Sequence, residues 1–349
     1  MFELNKILRP HILTLSPYSS ARDEYEGTEG IFLDANENPL GSITEQPFNR
    51  YPDSYQVALK KKIAPIKQVK PEQIFLGNGS DEAIDLLIRA TCTPGKDEII
   101  ILPPTYGMYE VSAHINDARL VKVPLNPDFQ IDLPKVLAAI TPQTKLIFIC
   151  SPNNPTGNVL KEADIEEILT RFDGLVAVDE AYIDFAPNHT FVTKLSRFPN
   201  LVVMQTFSKA WGLAGLRLGM AFASEEIIKI LNKLKPPYNI NTLTQELVNN
   251  SLIHLPAKEE MVKQILAERK KLIQALGLLP TVEYVYPSDA NFLLVKVTGA
   301  RQMYNHLIHE KIIVRDRSQV KYCEGCLRIT IGTSEENRQL IASMRAFTQ

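Results

Sequence analysis

Cysteine is scarce in this chain: Cys92, Cys150, Cys323 and Cys326 are the four in 349 residues. So few thiols exclude a disulfide-built secreted scaffold. Cys323 and Cys326 form a lone Cys-x-x-Cys, and a zinc site needs a second such pair or two histidines beside it. His306 and His309 are the nearest, their spacing is a weak match, and no metal is expected. Cys150 closes an apolar run and reads as a buried thiol. Positive charge is not in excess either. Lys and Arg number 38 against 40 Asp and Glu, a formal net charge of -2, which leaves no basic footprint for nucleic acid or an anionic membrane. Glu3, Lys6 and Arg9 interrupt Met1 to Pro10, so no secretory apolar core is expected there. No apolar run approaches the roughly 20 residues that span a bilayer. The expectation is a soluble, cytoplasmic protein with neither nucleic-acid nor membrane partners. Internal repeats and low-complexity linkers are also absent.

What is present is an ordinary globular balance, 45% hydrophobic and 22% charged, in a chain long enough for one large domain and a smaller one. Short apolar runs recur at Ile99–Leu102, Leu120–Val123, Leu146–Cys150, Leu175–Val178, Leu201–Met204 and Leu218–Ala223. Unbroken runs of this length suit strands buried on both faces, as in a parallel sheet. Helical patterns fall between them, at Asp81–Thr91, Leu133–Ala139 and Lys161–Phe172, which makes the architecture α/β. After Pro236-Pro237 the composition shifts to a long helical stretch, about Thr242 to Leu279. The remainder reads as strand (Phe292–Val297), helix (Arg301–Glu310) and two strands (Ile312–Val314 and Cys326–Ile331). Three regions follow: an N-terminal arm over 1–29, a large domain over 30–260 and a small α+β domain over 261–349.

Polar residues gather where the apolar runs end, and open α/β sheets bind ligands beyond the carboxyl ends of their strands. Gly77-Asn-Gly-Ser-Asp81 opens a helix, where free N–H groups favour an anion and where an ordinary N-cap would use the same residues. Ser151-Pro-Asn-Asn-Pro-Thr-Gly157 is a rigid turn that sets Asn153 and Asn154 at a strand end. Val178-Asp-Glu-Ala-Tyr182 ends a strand in an acid that needs a cationic or hydrogen-bonding partner. In Thr206-Phe-Ser-Lys-Ala-Trp-Gly-Leu-Ala-Gly-Leu-Arg217, Lys209 sits among small residues close to the sheet. Desolvation there lowers its basicity and makes it a nucleophile toward carbonyls. Arg217 can clamp a phosphate.

Taken together, Asn154-Pro-Thr-Gly157, Asp179-Glu-Ala-Tyr182 and Ser208-Lys209 followed by Arg217 resemble the fold type I pyridoxal-phosphate aminotransferases. The match runs from about Leu15 to Ile331. The resemblance implies a mostly parallel central sheet flanked by helices, with pyridoxal 5'-phosphate as cofactor. It implies that Lys209 carries the cofactor as a Schiff base and moves the proton during transfer. Asp179 would hold the pyridine nitrogen protonated, and Tyr182 and Asn154 would bond the phenolic oxygen. Tyr106 would stack on the ring. Gly79, Ser80, Asp81, Thr206, Ser208 and Arg217 would surround the phosphate. Tyr51 would reach the phosphate of a neighbouring subunit, which implies a homodimer with shared active sites. Trp211 stands where many relatives carry Phe.

The finer resemblance is to the histidinol-phosphate aminotransferase branch. It rests on Tyr18 in Ser16-Pro-Tyr-Ser-Ser-Ala-Arg22, on Leu33-Asp-Ala-Asn-Glu-Asn-Pro39, and on Arg315 and Arg328 in Val314-Arg-Asp-Arg317 and Leu327-Arg-Ile-Thr-Ile-Gly-Thr333. It implies L-histidinol phosphate and 2-oxoglutarate or glutamate as substrates. Arg328 would bind carboxylate and phosphate, Arg315 and Tyr18 would complete the phosphate site, and Asn36 would line the entrance; Arg317 is given no role. The rivals are an aromatic amino-acid aminotransferase of the same subgroup and a threonine-phosphate decarboxylase. A non-enzymatic cofactor-sensing regulator domain would need an N-terminal DNA-binding segment, and the motifs begin by residue 15.

Overall fold

The computed structural model describes residues 2–18 and 30–347; Ser19 to Arg22 of the arm motif lie outside them. Seven strands form the large sheet: β1 (Ile74–Asn78), β2 (Glu98–Ile101), β3 (Arg119–Lys122), β4 (Thr144–Cys150), β5 (Leu175–Asp179), β6 (Leu201–Thr206) and β7 (Leu218–Phe222). Their order across the sheet is β1-β7-β6-β5-β4-β2-β3. The run β3-β2-β4-β5-β6 is parallel, whereas β7 is antiparallel to both β6 and β1. All six apolar runs are strands, within two residues at their ends. Except for the edge strand β3, which is exposed at both ends, their burial on both faces explains the lack of alternation: Ile147 and Ile149 face one core cluster, and Leu146 and Phe148 the other. The mostly parallel sheet flanked by helices is thus the fold of the chain.

β1 is an addition to those six. Its apolar part is only Ile74-Phe75-Leu76, and it gains stability by pairing along its length with β7. The four-stranded second sheet contains β8 (Val282–Val285), β9 (Phe292–Val297), β10 (Arg315–Asp316) and β11 (Cys326–Thr330), all antiparallel, in the order β10-β11-β9-β8. The strand expected over Ile312–Val314 lies instead at Arg315–Asp316. Ile312 and Val314 pack against the small core from an irregular segment while Ile313 is exposed, and the ladder to β11 begins with polar residues. The long helical stretch is broken into Thr242–Ser251, a short 3-10 turn and Leu255–Leu276. Residue 260, the expected domain boundary, falls inside the last of these.

The small sheet is tied to the large one at the strand-end loops. Asp289 N donates to Gly157 O at 2.7 Å, and Val159 N donates to Asp289 Oδ2 at 2.9 Å. Tyr182 meets Phe292 edge-to-face with ring centroids 5.0 Å apart. Among the described residues no helix is long and apolar enough to cross a membrane.

Candidate active site

One cleft lies beyond the carboxyl ends of β4, β5 and β6. Gly79, Ser80, Asp81, Tyr106, Asn154, Asp179, Tyr182, Thr206, Ser208, Lys209 and Arg217 all line it. These residues are spread over 139 positions of sequence, and a single cleft collects them because each follows or faces a strand end.

Asp179 is the last residue of β5 and only 2% exposed. Tyr109 Oη donates to its Oδ2 at 2.6 Å, and Ala181 N donates to its Oδ1 at 3.0 Å. Burial raises its carboxyl above the usual range, against the lowering pull of those bonds and of Lys209. A cation beside it restores the ionised form. The adjacent Glu180 points elsewhere. It accepts from Phe191 N, Thr190 Oγ1 and Gln205 Nε2 at 2.5, 2.8 and 2.8 Å, so it fixes the following turn.

Lys209 Nζ lies 5.6 Å from the centre of the Tyr182 ring. Burial, and next the charge of Arg328, lower its amine below the ordinary 10.5. It is therefore available as a neutral nucleophile at lower pH than a surface lysine. Asn154 Nδ2 donates to Tyr182 Oη at 3.4 Å, and Arg328 Nη1 donates to Asn154 Oδ1 at 2.5 Å. The small sheet thereby reaches into the cleft.

The opposite end is built for a tetrahedral anion. The helix Ser80–Thr91 starts at Gly79, whose φ is 77°. Arg217, at φ 52°, turns its carbonyl to accept from Gly79 N at 2.7 Å. Such a backbone is unfavourable for a residue with Cβ, and the surrounding bonds hold it. A Cβ on Gly79 would stand 2.7 Å from Arg217 Nη2, and one on Gly219 would stand 2.2 Å from Ser80 N. Both glycines keep a cradle of unpaired helix N–H groups open beneath a guanidinium. Thr206 Oγ1 lies 3.0 Å from Ser208 Oγ, and Tyr106 Oη donates to Asp81 Oδ1 at 3.1 Å.

Arg315 faces Arg328 directly across β10 and β11. Tyr51 and Asn36 line a different surface cleft, where Tyr51 stacks on Tyr238 at 4.4 Å. Tyr18, 69% exposed, lines a third cleft with Tyr55 and Lys233. The single chain therefore does not bring Tyr18, Asn36 or Tyr51 to the Lys209 cleft. Cys323 and Cys326 are buried free thiols. Tyr109 was missed in the sequence. It is wholly buried, stacks on Phe148 at 4.8 Å and holds Asp179, a role that depends on a fold contact 70 positions away.

The aminotransferase class I and II model matches residues 29–344. The histidinol-phosphate aminotransferase of Cytophaga hutchinsonii is 56% identical over 346 residues, 99% of either chain. The crystal structure of the histidinol-phosphate aminotransferase from Clostridium acetobutylicum superposes with a TM-score of 0.78 at 25% identity, covering 85% of this chain and 90% of that one. The Sinorhizobium meliloti histidinol-phosphate aminotransferase, solved in complex with pyridoxal-5'-phosphate, superposes with a TM-score of 0.77 at 22% identity, covering 89% of each.

Proposed function

The chain belongs to the class I and II aminotransferases, a pyridoxal-phosphate-dependent family, and we propose that it exchanges the amine of L-histidinol phosphate with 2-oxoglutarate. The products are imidazole acetol phosphate and L-glutamate, and the setting is histidine biosynthesis in the cytoplasm. The observation that carries this reading is the pair Arg315 and Arg328 beside the Lys209 cleft, with Arg328 bonded to Asn154 at its edge.

The residues fit the cofactor. The buried carboxyl at Asp179 suits a cation, and the glycine-lined cradle at Ser80, under an Arg217 that otherwise lies 3.7 Å from Asp81 Oδ2, suits an anion. Asp179 would hold the protonated pyridine nitrogen, and Tyr109 would hold Asp179. Ser80, Thr206, Ser208 and Arg217 would bind the phosphate, with the backbone of Gly79 and Asp81. Tyr106 would cover one ring face, and Tyr182 and Asn154 would bond the phenolic oxygen. When bound, the cofactor supplies an aldehyde for the amine and a ring that draws electrons away from the substrate Cα. Lys209 Nζ, whose basicity burial lowers, would take the proton from that Cα and return one on the product side.

One site must accept both a phosphate monoester and the second carboxylate of glutamate. Arginine forks do so through paired hydrogen bonds to either anion. The active form is proposed as a homodimer. Tyr51, which does not line the Lys209 cleft of its own chain, would reach the partner's phosphate, and the exposed Ile31, Leu33, Leu40 and Ile43 of the same segment supply apolar surface to cover. The test is a paired assay of L-histidinol phosphate and L-phenylalanine with 2-oxoglutarate. Histidinol phosphate should win on kcat/KM; preference for phenylalanine by orders of magnitude sinks the substrate assignment.

A further inference from the structure

Three arginines crowd one face of the small sheet. Residues alternate between faces along a strand. Leu327, Ile329, Leu293 and Val295 belong to the small core, whereas Cys326, Cys323 and Leu294 pack with the large domain. Arg328 pairs with Leu294, and Arg315 with Arg328, so both belong to the face turned toward the large domain. Arg317 N donates to Cys326 O at 2.9 Å, which extends the β10–β11 ladder by one step. Two residues on from Arg315, Arg317 shares that face. Asp316, on the opposite face, is engaged by Arg301 and Ser318.

Among the described residues, none of Arg315, Arg317 and Arg328 forms an ion pair. Arg317 Nε is buried with no hydrogen-bond partner, an arrangement that costs free energy unless something else meets it. Burial, then repulsion by Arg328 and Arg315, lowers the Arg317 guanidinium from its ordinary range, and the Tyr182 hydroxyl feels its charge. The cluster is therefore close to the cleft and short of negative charge.

We infer that Arg317 is a third cation of the substrate-anion site and selects a doubly charged phosphate over a singly charged anion of the same shape. This rests on the proposed function only in requiring an anionic substrate end at this face. The physics is the balance within the cluster. Against three guanidinium charges a monoanion leaves two uncompensated, and a phosphate dianion leaves one. In a partly desolvated site each uncompensated charge weakens binding steeply.

The test uses two competitors of equal shape, n-propyl phosphate and n-propyl sulfate, against the glutamate half-reaction of the holoenzyme at pH 8. There the phosphate ester is a dianion, its second pKa being about 6. The ratio of the two inhibition constants reads charge selectivity directly. The wild type should favour the phosphate. Arg317→Gln should cut that preference about tenfold, and Arg317→Lys should keep most of it. Bound cofactor, measured by absorbance, checks that each variant is folded. A ratio unchanged in Arg317→Gln overturns the inference, as does equal weakening of both competitors. Wild-type turnover of L-histidinol phosphate is measured alongside. If it is absent while the ratio still responds to Arg317, the substrate reading falls and the anion role stands.

Discussion

The Lys209 cleft and the segment over residues 30–55 make opposite uses of one chain. In the cleft, eleven functional candidates line one space, and its acid, amides and hydroxyls are tied to one another within the chain. In the segment, Tyr51 is 49% exposed and Leu40 is 94% exposed, and the cleft that Tyr51 lines contains none of those eleven residues. One copy thus gathers the residues of the Lys209 cleft in one place, whereas the segment over 30–55 lines a separate surface cleft and exposes apolar side chains.

The sharpest way to break this contrast is at Lys209. Lys209→Ala should lower transamination about ten-thousandfold or more, because both the nucleophile and the proton carrier are lost. Borohydride reduction of the wild type should fix the cofactor on Lys209 in a peptide map. Label on any other lysine moves the chemical end elsewhere.

Arg328 is a charged link between the cleft and the small sheet, beside the Tyr182–Phe292 ring contact. Arg328→Gln should reduce kcat/KM for both substrates about a hundredfold, as expected when one partner of a partly buried charged contact is removed. It has a second consequence at Lys209. Arg328 is the second cause, after burial, of the lowered Lys209 amine. Removing that positive charge raises the amine toward its ordinary range, so a smaller fraction is neutral at a given pH. The rate of cofactor uptake by the apoenzyme, followed against pH, should therefore move its rising limb to higher pH. A limb moved to lower pH contradicts the proposed coupling.

The two regions also differ in how legible they were. The cleft could be read because strand ends leave marks in a sequence: an apolar run that stops at Asp179, a rigid turn at Asn154, a lysine among small residues at 209. What could not be read is set by partners distant in the chain. Leu218–Phe222 is as apolar as its neighbours, and nothing in an apolar run tells strand direction, so the antiparallel β7 emerges only from its pairing. Arg315–Asp316 is a strand only because β11 lies beside it, and Tyr109 looks like any aromatic on a helix until Asp179 is folded against it. Arg317 is indistinguishable from a surface arginine until the sheet register is known.

Tyr51 tests whether the outer wall belongs to a second copy. Tyr51→Phe should weaken cofactor binding about tenfold, the scale of one hydrogen bond to a charged oxygen. Mixed dimers of Tyr51→Phe and Lys209→Ala subunits give the decisive reading. If Tyr51 serves the neighbour, one site of each mixed dimer combines an intact Lys209 with an intact Tyr51 and regains wild-type cofactor affinity together with activity. If Tyr51 serves its own chain, mixing recovers no such site.

Tyr18 carries the smallest expected effect and divides the outer wall most finely. It lies in a cleft with Tyr55 and Lys233, apart from both Tyr51 and the arginines of the small sheet. Its proposed contribution is one hydroxyl hydrogen bond to the substrate phosphate, worth about 1 kcal/mol. Tyr18→Phe should then lower kcat/KM for L-histidinol phosphate about fivefold and leave glutamate nearly unaffected, since a carboxylate is smaller and already met by Arg328. The ring is kept, so packing of the arm is preserved and the comparison isolates the hydroxyl. Equal losses on both substrates would show that the arm shapes the whole entrance. With no loss on either, the wall would come from the Tyr51 region alone, and Arg315, Arg317 and Arg328 would be left to hold the phosphate.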